Sequence, residues 1–401
     1  MFQQKNLGKP GDPLNSDAEC GSPPRTRDGA ILPLIAICLT VIFAFVAFAI
    51  DLGRICVTRQ QMQHAADSAA LAAVNQLIAA FGDFGTSGNA NPEQLAKNMA
   101  VAVAAANQMG GQSGVYLDAT RDIRLGQHSI DPDTGQVTTT WGTPPYNVVE
   151  VTVHRDGPLG QRDGALPLLF APILGKTQGN LLVTSRAAFI PGERFRKDEN
   201  SRGNIMVLPV AMQEDSWNSA IIASSPDRLS WNPDTNSVER GGDNAVEFDI
   251  YNSLDKRLAP GQFGTGGFGS FSNSTKDLIR QIESGLNYDD LQAFGGTLSV
   301  DEEPIVIEAS PGNLSGIEDA VATIVGELRV IPLFESITGS GGDTSYIVTG
   351  FGGIRIMEVN FKGKEKYIRV QAAAVSFDGI LPGGSTTTET STILSPGFLL
   401  P

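Results

Sequence analysis

The sequence predicts an α+β fold in which one long N-terminal transmembrane helix extends into a region of antiparallel β-sheet modules with a few packing helices. Three observations carry this reading: an uncharged apolar run at 30–50, alanines at helical spacing directly after it, and short alternating segments between Gly, Pro and Asp turns over the rest of the 401 residues.

The apolar run is AILPLIAICLTVIFAFVAFAI, from Ala30 to Ile50, with Cys38 its only ionisable side chain. At about 1.5 Å per residue it reaches roughly 31 Å, the thickness of a bilayer's hydrocarbon core. Pro33 falls in the first turn, where backbone N–H groups have no partner within the helix. A cleavable signal is the rival reading, because Ala47-Phe48-Ala49 has small residues at cleavage spacing and Arg25 and Arg27 precede the run. The run is longer than a signal's apolar region, and helical character continues past the cut, so an uncleaved anchor is expected.

From Asp51 to Leu77 the chain reads DLGRICVTRQQMQHAADSAALAAVNQL, with Gly53 the one helix breaker. One helix of about 45 residues is therefore expected to leave the bilayer without a break. Met62, Ala66, Ala69, Ala73 and Leu77 form a narrow small-residue stripe, the candidate interaction face. Such a face admits close approach, either of the protein's own globular region or of neighbouring subunits.

The strings Arg27-Asp28-Gly29-Ala30-Ile31-Leu32-Pro33, Ala49-Ile50-Asp51-Leu52-Gly53-Arg54 and Gln61-Met62-Gln63-His64-Ala65-Ala66-Asp67-Ser68-Ala69-Ala70-Leu71-Ala72-Ala73 occur in that order. This resembles the N-terminal domain of TadG-like proteins of Tad/Flp pilus assembly: a charged residue and Gly before the helix, an Asp-x-Gly-Arg-like turn, then a Gln-x-Ala-Ala-Asp stretch. The resemblance covers about residues 27–75. It implies a non-enzymatic assembly role at the bacterial inner membrane, a cytoplasmic N-terminus and a periplasmic bulk. It further implies pseudopilin, secretin or assembly-platform partners, with oligomerisation possible. The fifth residue after Gly29 is Leu34, where pilin-like subunits carry Glu, so processing by a prepilin peptidase is not expected. Some members carry a von Willebrand A domain, whose metal site needs Asp-x-Ser-x-Ser. The nearest string here, Asp343-Thr344-Ser345-Tyr346-Ile347, lacks the second serine. A membrane-tethered binding or adhesion module unrelated to a pilus is the alternative.

Charge alone leaves the orientation nearly open, with Arg25 and Arg27 before the run and Arg54 and Arg59 after it. Residues 1–29 read as a disordered cytoplasmic segment, 30–50 as the membrane helix and 51–80 as the juxtamembrane helix. A first α+β module follows at 81–197, with a helix over Glu93–Met109 and strands over Asn147–His154 and Leu181–Ile190. The charged stretch Pro191–Gly203 is the expected boundary. A second module, 198–381, should hold a strand at 205–212 and helices over Ser274–Ser284 and Ser315–Arg329. The latter is opened by a Ser315 to Glu318 capping box. Strands at 330–335, 345–349, 354–361 and 366–377 complete it, the last two joined by a turn at 362–364. The Ser/Thr-rich tail, 382–401, reads as flexible.

The net charge is −15, and after residue 59 the chain holds 23 basic against 39 acidic residues. Such a surface repels phosphate backbones, so nucleic-acid binding is not expected. Cys20, Cys38 and Cys56 all lie near the N-terminus, and neither a Cys/His cluster at zinc spacing nor a nucleophile motif occurs. Gly264-Thr-Gly266-Gly-Phe-Gly269 matches a dinucleotide fingerprint only in letters, since Pro260-Gly261 precedes it, and reads as a flexible loop. Asp131-x-Asp133-x-Gly135 reads as a turn, Asp289-Asp290 and Glu302-Glu303 as solvated acids. No cofactor, metal or catalytic residue is expected.

Overall fold

The computed structural model describes residues 31–82, 91–130, 134, 136–201, 203–222, 227–243, 245–253, 263–268, 274–300, 303–311, 316–339, 344–382 and 392–401. The expectations for 1–29 and for Asp131-x-Asp133 lie outside them.

Helix α1 runs unbroken from Ile31 to Gly82, 52 residues, or about 78 Å. It is longer than expected because Ile78, Ala79 and Ala80 carry the helix on to Gly82. The Asp-x-Gly-Arg element, a turn in the family pattern, is helical here, and the side of Gly53 faces open space. Helix α2 (Pro92–Ala106) starts where the Asn91 side chain accepts from the Glu93 and Gln94 amides, with Pro92 in its first turn. Its buried Ala96, Ala100 and Ala104 recur every fourth residue and bring it close against α1.

Four antiparallel strands follow: β1 (Ile123–Ile130), β2 (Val137–Trp141), β3 (Val148–Arg155) and β4 (Leu181–Ala188). Val149, Val151 and Val153 alternate onto the face that packs under α1 and α2. Strand β5 (Gly192–Arg196) runs through the stretch expected as a boundary, its Phe195 fully buried between Arg194 and Arg196.

The remaining region holds β6 (Val210–Gln213), helix α3 (Glu214–Ile222), β7 (Glu247–Asn252), β8 (Phe263–Gly267), α4 (Thr275–Ser284), α5 (Tyr288–Gln292) and β9 (Thr297–Ser299). After them come β10 (Ile305–Pro311), α6 (Glu318–Thr323), β11 (Leu328–Thr338), β12 (Ser345–Asn360), β13 (Tyr367–Ala372) and β14 (Ile380–Pro382). Their main sheet has the order β7-β13-β12-β10-β8-β6-β11, and β11 also pairs with β12. Strands β12, β10, β8, β6 and β11 thereby close into a barrel, with β6–β11 its parallel pair. Strands β9, β5 and β14 form a separate small sheet.

Helix α4 has the expected Ser274 cap and Gly285 stop. Helix α6 is far shorter than the expected 315–329. Its N-cap, Ile317, makes no side-chain bond, Ser315 lies outside the described residues, and Leu328 already belongs to β11. The two strands expected at 345–349 and 354–361 are one, β12, because β11 pairs along the whole stretch: Gly350, Gly352 and Gly353 stand opposite Leu333, Ile331 and Val330, and the register shift at Leu333/Phe334 leaves out only Thr349.

The expectation of a flexible tail fails for residues 392–401, which run back between the two modules. Gly353 N–H donates to Thr392 Oγ1 at 2.7 Å, and a Cβ at Gly353 would sit 2.7 Å from the Thr392 carbonyl. Gly192 N–H donates to the Ile393 carbonyl, Leu394 N–H to the Val375 carbonyl, and Ile190 N–H to Ser395 Oγ. Gly397 passes so close to α1 that a Cβ there would stand 3.0 Å from Val74 Cγ1. Strand β15 (Phe398–Leu400) then pairs with β4, completing a five-stranded sheet of order β15-β4-β3-β1-β2.

Candidate functional site at the helix-to-domain junction

Every residue of α1 from Ile31 to Ile50 is exposed apart from the half-buried Ala47. This bare segment has a mean hydropathy of 2.9 over its most apolar window. At Asp51 the environment changes. The carboxylate is buried and accepts three consecutive backbone N–H groups: Leu169 onto Oδ1 at 2.8 Å, and Phe170 and Ala171 onto Oδ2 at 3.0 and 2.7 Å. Successive amides aimed at one anion form a nest. A short 3-10 helix, Ala171–Leu174, follows and ends at Gly175, whose φ of 80° suits glycine. Burial pushes the Asp51 carboxyl up, but the three donors and Arg54 outweigh it and hold the group below its ordinary range. An anion so satisfied is a poor general base and a good clamp.

Two turns further, Thr58 is buried against Gly110, and Gly110 N–H donates to Gln61 Oε1 at 2.8 Å. Arg155, at the end of β3, is buried with Nη1 on Gln112 Oε1 at 2.5 Å. Burial, and secondarily the charge of Arg54, lower its pKa. Arg121 bridges Asp122 at 2.5 Å and Asp163 at 2.9 Å, tying the segment that leads to the nest onto the start of β1. Those two carboxylates raise the pKa of the guanidinium.

The stripe Met62, Ala66, Ala69, Ala73 and Leu77 lies fully in this protein's own core, beneath Val149, Val151, Val153, Val183 and Ala187. Polar and aromatic groups elsewhere in the chain are dispersed. His128 is buried, its Nδ1 3.0 Å from Thr139 Oγ1, and burial lowers its pKa. His154 lies beside Asp156 at 3.2 Å. Gly264 and Gly266 are strand residues paired with Pro311 and Ala309, not the expected loop, while Gly269 lies outside the described residues. Asp290 is no solvated acid: fully buried, it takes Arg280 at 2.6 Å and 3.0 Å and caps α5 with Asn287. Glu302 lies outside the described residues and Glu303 is exposed. Trp217 packs in the core edge-on to Phe248, and Trp231 carries Arg355 over its ring at 4.2 Å. Among the described residues no group of three or more His, Cys, Asp or Glu side chains is placed to hold a metal ion.

Sequence reasoning had no signal for the partners of Asp51, which lie about 120 residues away. The one clue was a lone acid directly after 21 residues without a charge.

Residues 29–76 match the family described as "Putative Flp pilus-assembly TadE/G-like", and 72–187 match "Putative Tad-like Flp pilus-assembly". Residues 29–187 are similar to TadG-like proteins. The two matches meet within α1 and together end one residue short of the end of β4, so the TadG-like part comprises the stem, α2 and the first four strands. Residues 188–401 lie outside both. These families are of pilus-assembly components, which links the chain to Flp pilus assembly. Neither the curated proteins nor the solved structures contain a match.

Proposed function

We propose that this chain is a non-enzymatic component of Flp pilus assembly, held in the inner membrane by residues 30–50, with a cytoplasmic N-terminus and a periplasmic body. The observation that carries this reading is the two-part character of α1. Its first 20 residues are bare and apolar, and its remainder is the central helix of a folded core within the segment matched as pilus-assembly TadE/G-like. A spanning helix built into the domain holds that domain at a fixed height above the lipid.

The two modules, expected at 81–197 and 198–381, are the parts that meet pilus subunits, the secretin or the assembly platform. Since the alanine stripe is covered by the protein's own sheet, contacts along the stem fall to its exposed side, where Gln60, Gln63 and His64 lie. Deletion of the gene, with pili counted by electron microscopy, tests the role; protease treatment of spheroplasts tests the placement. Loss of pili, with cleavage beyond residue 60 only after the outer membrane is opened, is expected. Normal piliation in the deletion strain overturns the assembly role, and protection of the body in spheroplasts overturns the placement.

A further inference from the structure

The segment held by Asp51 is itself apolar and turned outward. Leu169 is 59% exposed, Phe170 38%, Ile173 83% and Leu174 82%. Four large apolar side chains in six residues, two of them almost bare, are an unusual cost for a loop facing water. Their position explains them. The Leu169, Phe170 and Ala171 amides are bonded to the residue that immediately follows the apolar run of α1. The 3-10 helix that carries Ile173 and Leu174 touches α1 itself. Ala47, four residues and about 6 Å toward the lipid from Asp51, is the one partly covered residue between Ile31 and Ile50.

We propose that residues 169–174 are a second membrane contact, a short apolar foot that enters the interfacial layer of the bilayer beside the transmembrane helix. This rests on the anchoring read from α1 and adds a lipid-binding site to it. The three amides that such a foot would otherwise bring unpaired toward the lipid are those that Asp51 accepts, which lowers the cost of placing backbone there. Lys176, exposed just behind the foot, stands where lipid phosphates lie. The occupant is lipid rather than a protein partner, because the nest ties the foot to the level at which the spanning helix leaves the hydrocarbon.

The test uses the full chain in nanodiscs of phosphatidylethanolamine and phosphatidylglycerol, with Cys20, Cys38 and Cys56 replaced by serine. Single cysteines at Ile173→Cys, Leu174→Cys, Phe43→Cys and Val137→Cys carry a bimane fluorophore. Quenching by spin-labelled lipid and by aqueous iodide is compared at each position. Positions 173 and 174 are expected to be quenched by lipid spin labels near the headgroup and to be several-fold less open to iodide than 137. Iodide quenching at 173 and 174 equal to that at 137, with 43 quenched by lipid, overturns the foot and leaves the anchor standing. Protection of 173 and 174 from both quenchers also overturns it, in favour of a protein occupant. Iodide access at 43 overturns the anchor and the foot together.

Discussion

Leu394 lies in the core beneath the helical stem, while Ile393, its neighbour in sequence, lies in the core of the second module. An extended backbone sends successive side chains to opposite sides, and here the two sides belong to different modules. The C-terminal strap therefore staples them together by packing, reinforced by its hydrogen bonds to Gly353, Val375, Ile190 and Gly192.

Replacing Leu394 with Asp should destabilise both modules. Loss of the buried side chain costs about 2–5 kcal/mol by itself, and a carboxylate in that core adds its desolvation. Hydrogen exchange by mass spectrometry is expected to rise in β4 and in β13 together. Deletion of 398–401 should open β4 alone, since among the described residues β15 pairs only with it. Unchanged exchange in β4 after that deletion counts against a stapling strap.

Ala69 is fully buried in the face of α1 that meets the sheet. Ala69→Leu inserts three carbons where none fit, at a cost of roughly 1–3 kcal/mol. Thermal unfolding of the full chain in detergent should move down by several degrees, whereas Gln63→Leu, on the exposed side of the same helix, should leave the midpoint nearly unchanged.

Asp51→Ala removes the acceptor for three amides at once. The segment 166–175 should then become several-fold more sensitive to a protease of broad specificity, with the fold of the sheet retained. The wild-type clamp should depend on acid. Its folded pKa is depressed, so its contribution is complete above the unfolded value of about 3.9 and is lost as pH falls through the lower folded value. Proteolysis of the segment by an acid-active protease is expected to rise below about pH 4 in the wild type and to be flat with pH in Asp51→Ala.

Asp290 is the hub of α4 and α5, taking Arg280, Gln281 and the Asn287 amide. Asp290→Ala should cost about 2–4 kcal/mol, less than for a sealed pair because Arg280 keeps some access to water. A denaturant titration of the full chain checks this, and a loss under about 1 kcal/mol rules out the hub role.

Local periodicity made the stem, α2, α4 and the strands β3 and β4 legible. In each of these the residue pattern matches the element's own repeat and a capping or stopping residue marks an end. The fold failed to show itself where distant pairing decides. Phe195 turns a charged stretch into a strand, the strands expected on either side of Gly350 fuse because β11 runs beside both, and the last ten residues are ordered by β4, Gly192, Gly353 and Val375. The clamp belongs to the same class, since no local signal joins Asp51 to Leu169.

Because α1 has no hinge between Ile31 and Gly82, the angular setting of the body about the membrane normal is fixed by residue count. Each added or lost residue near Leu52 would swing the body by about 100° relative to the buried end. Torque or tension applied to the body would reach the apolar end of the helix undamped. The length of this shaft is thus as much a determinant of which way the body faces as any side chain on its surface.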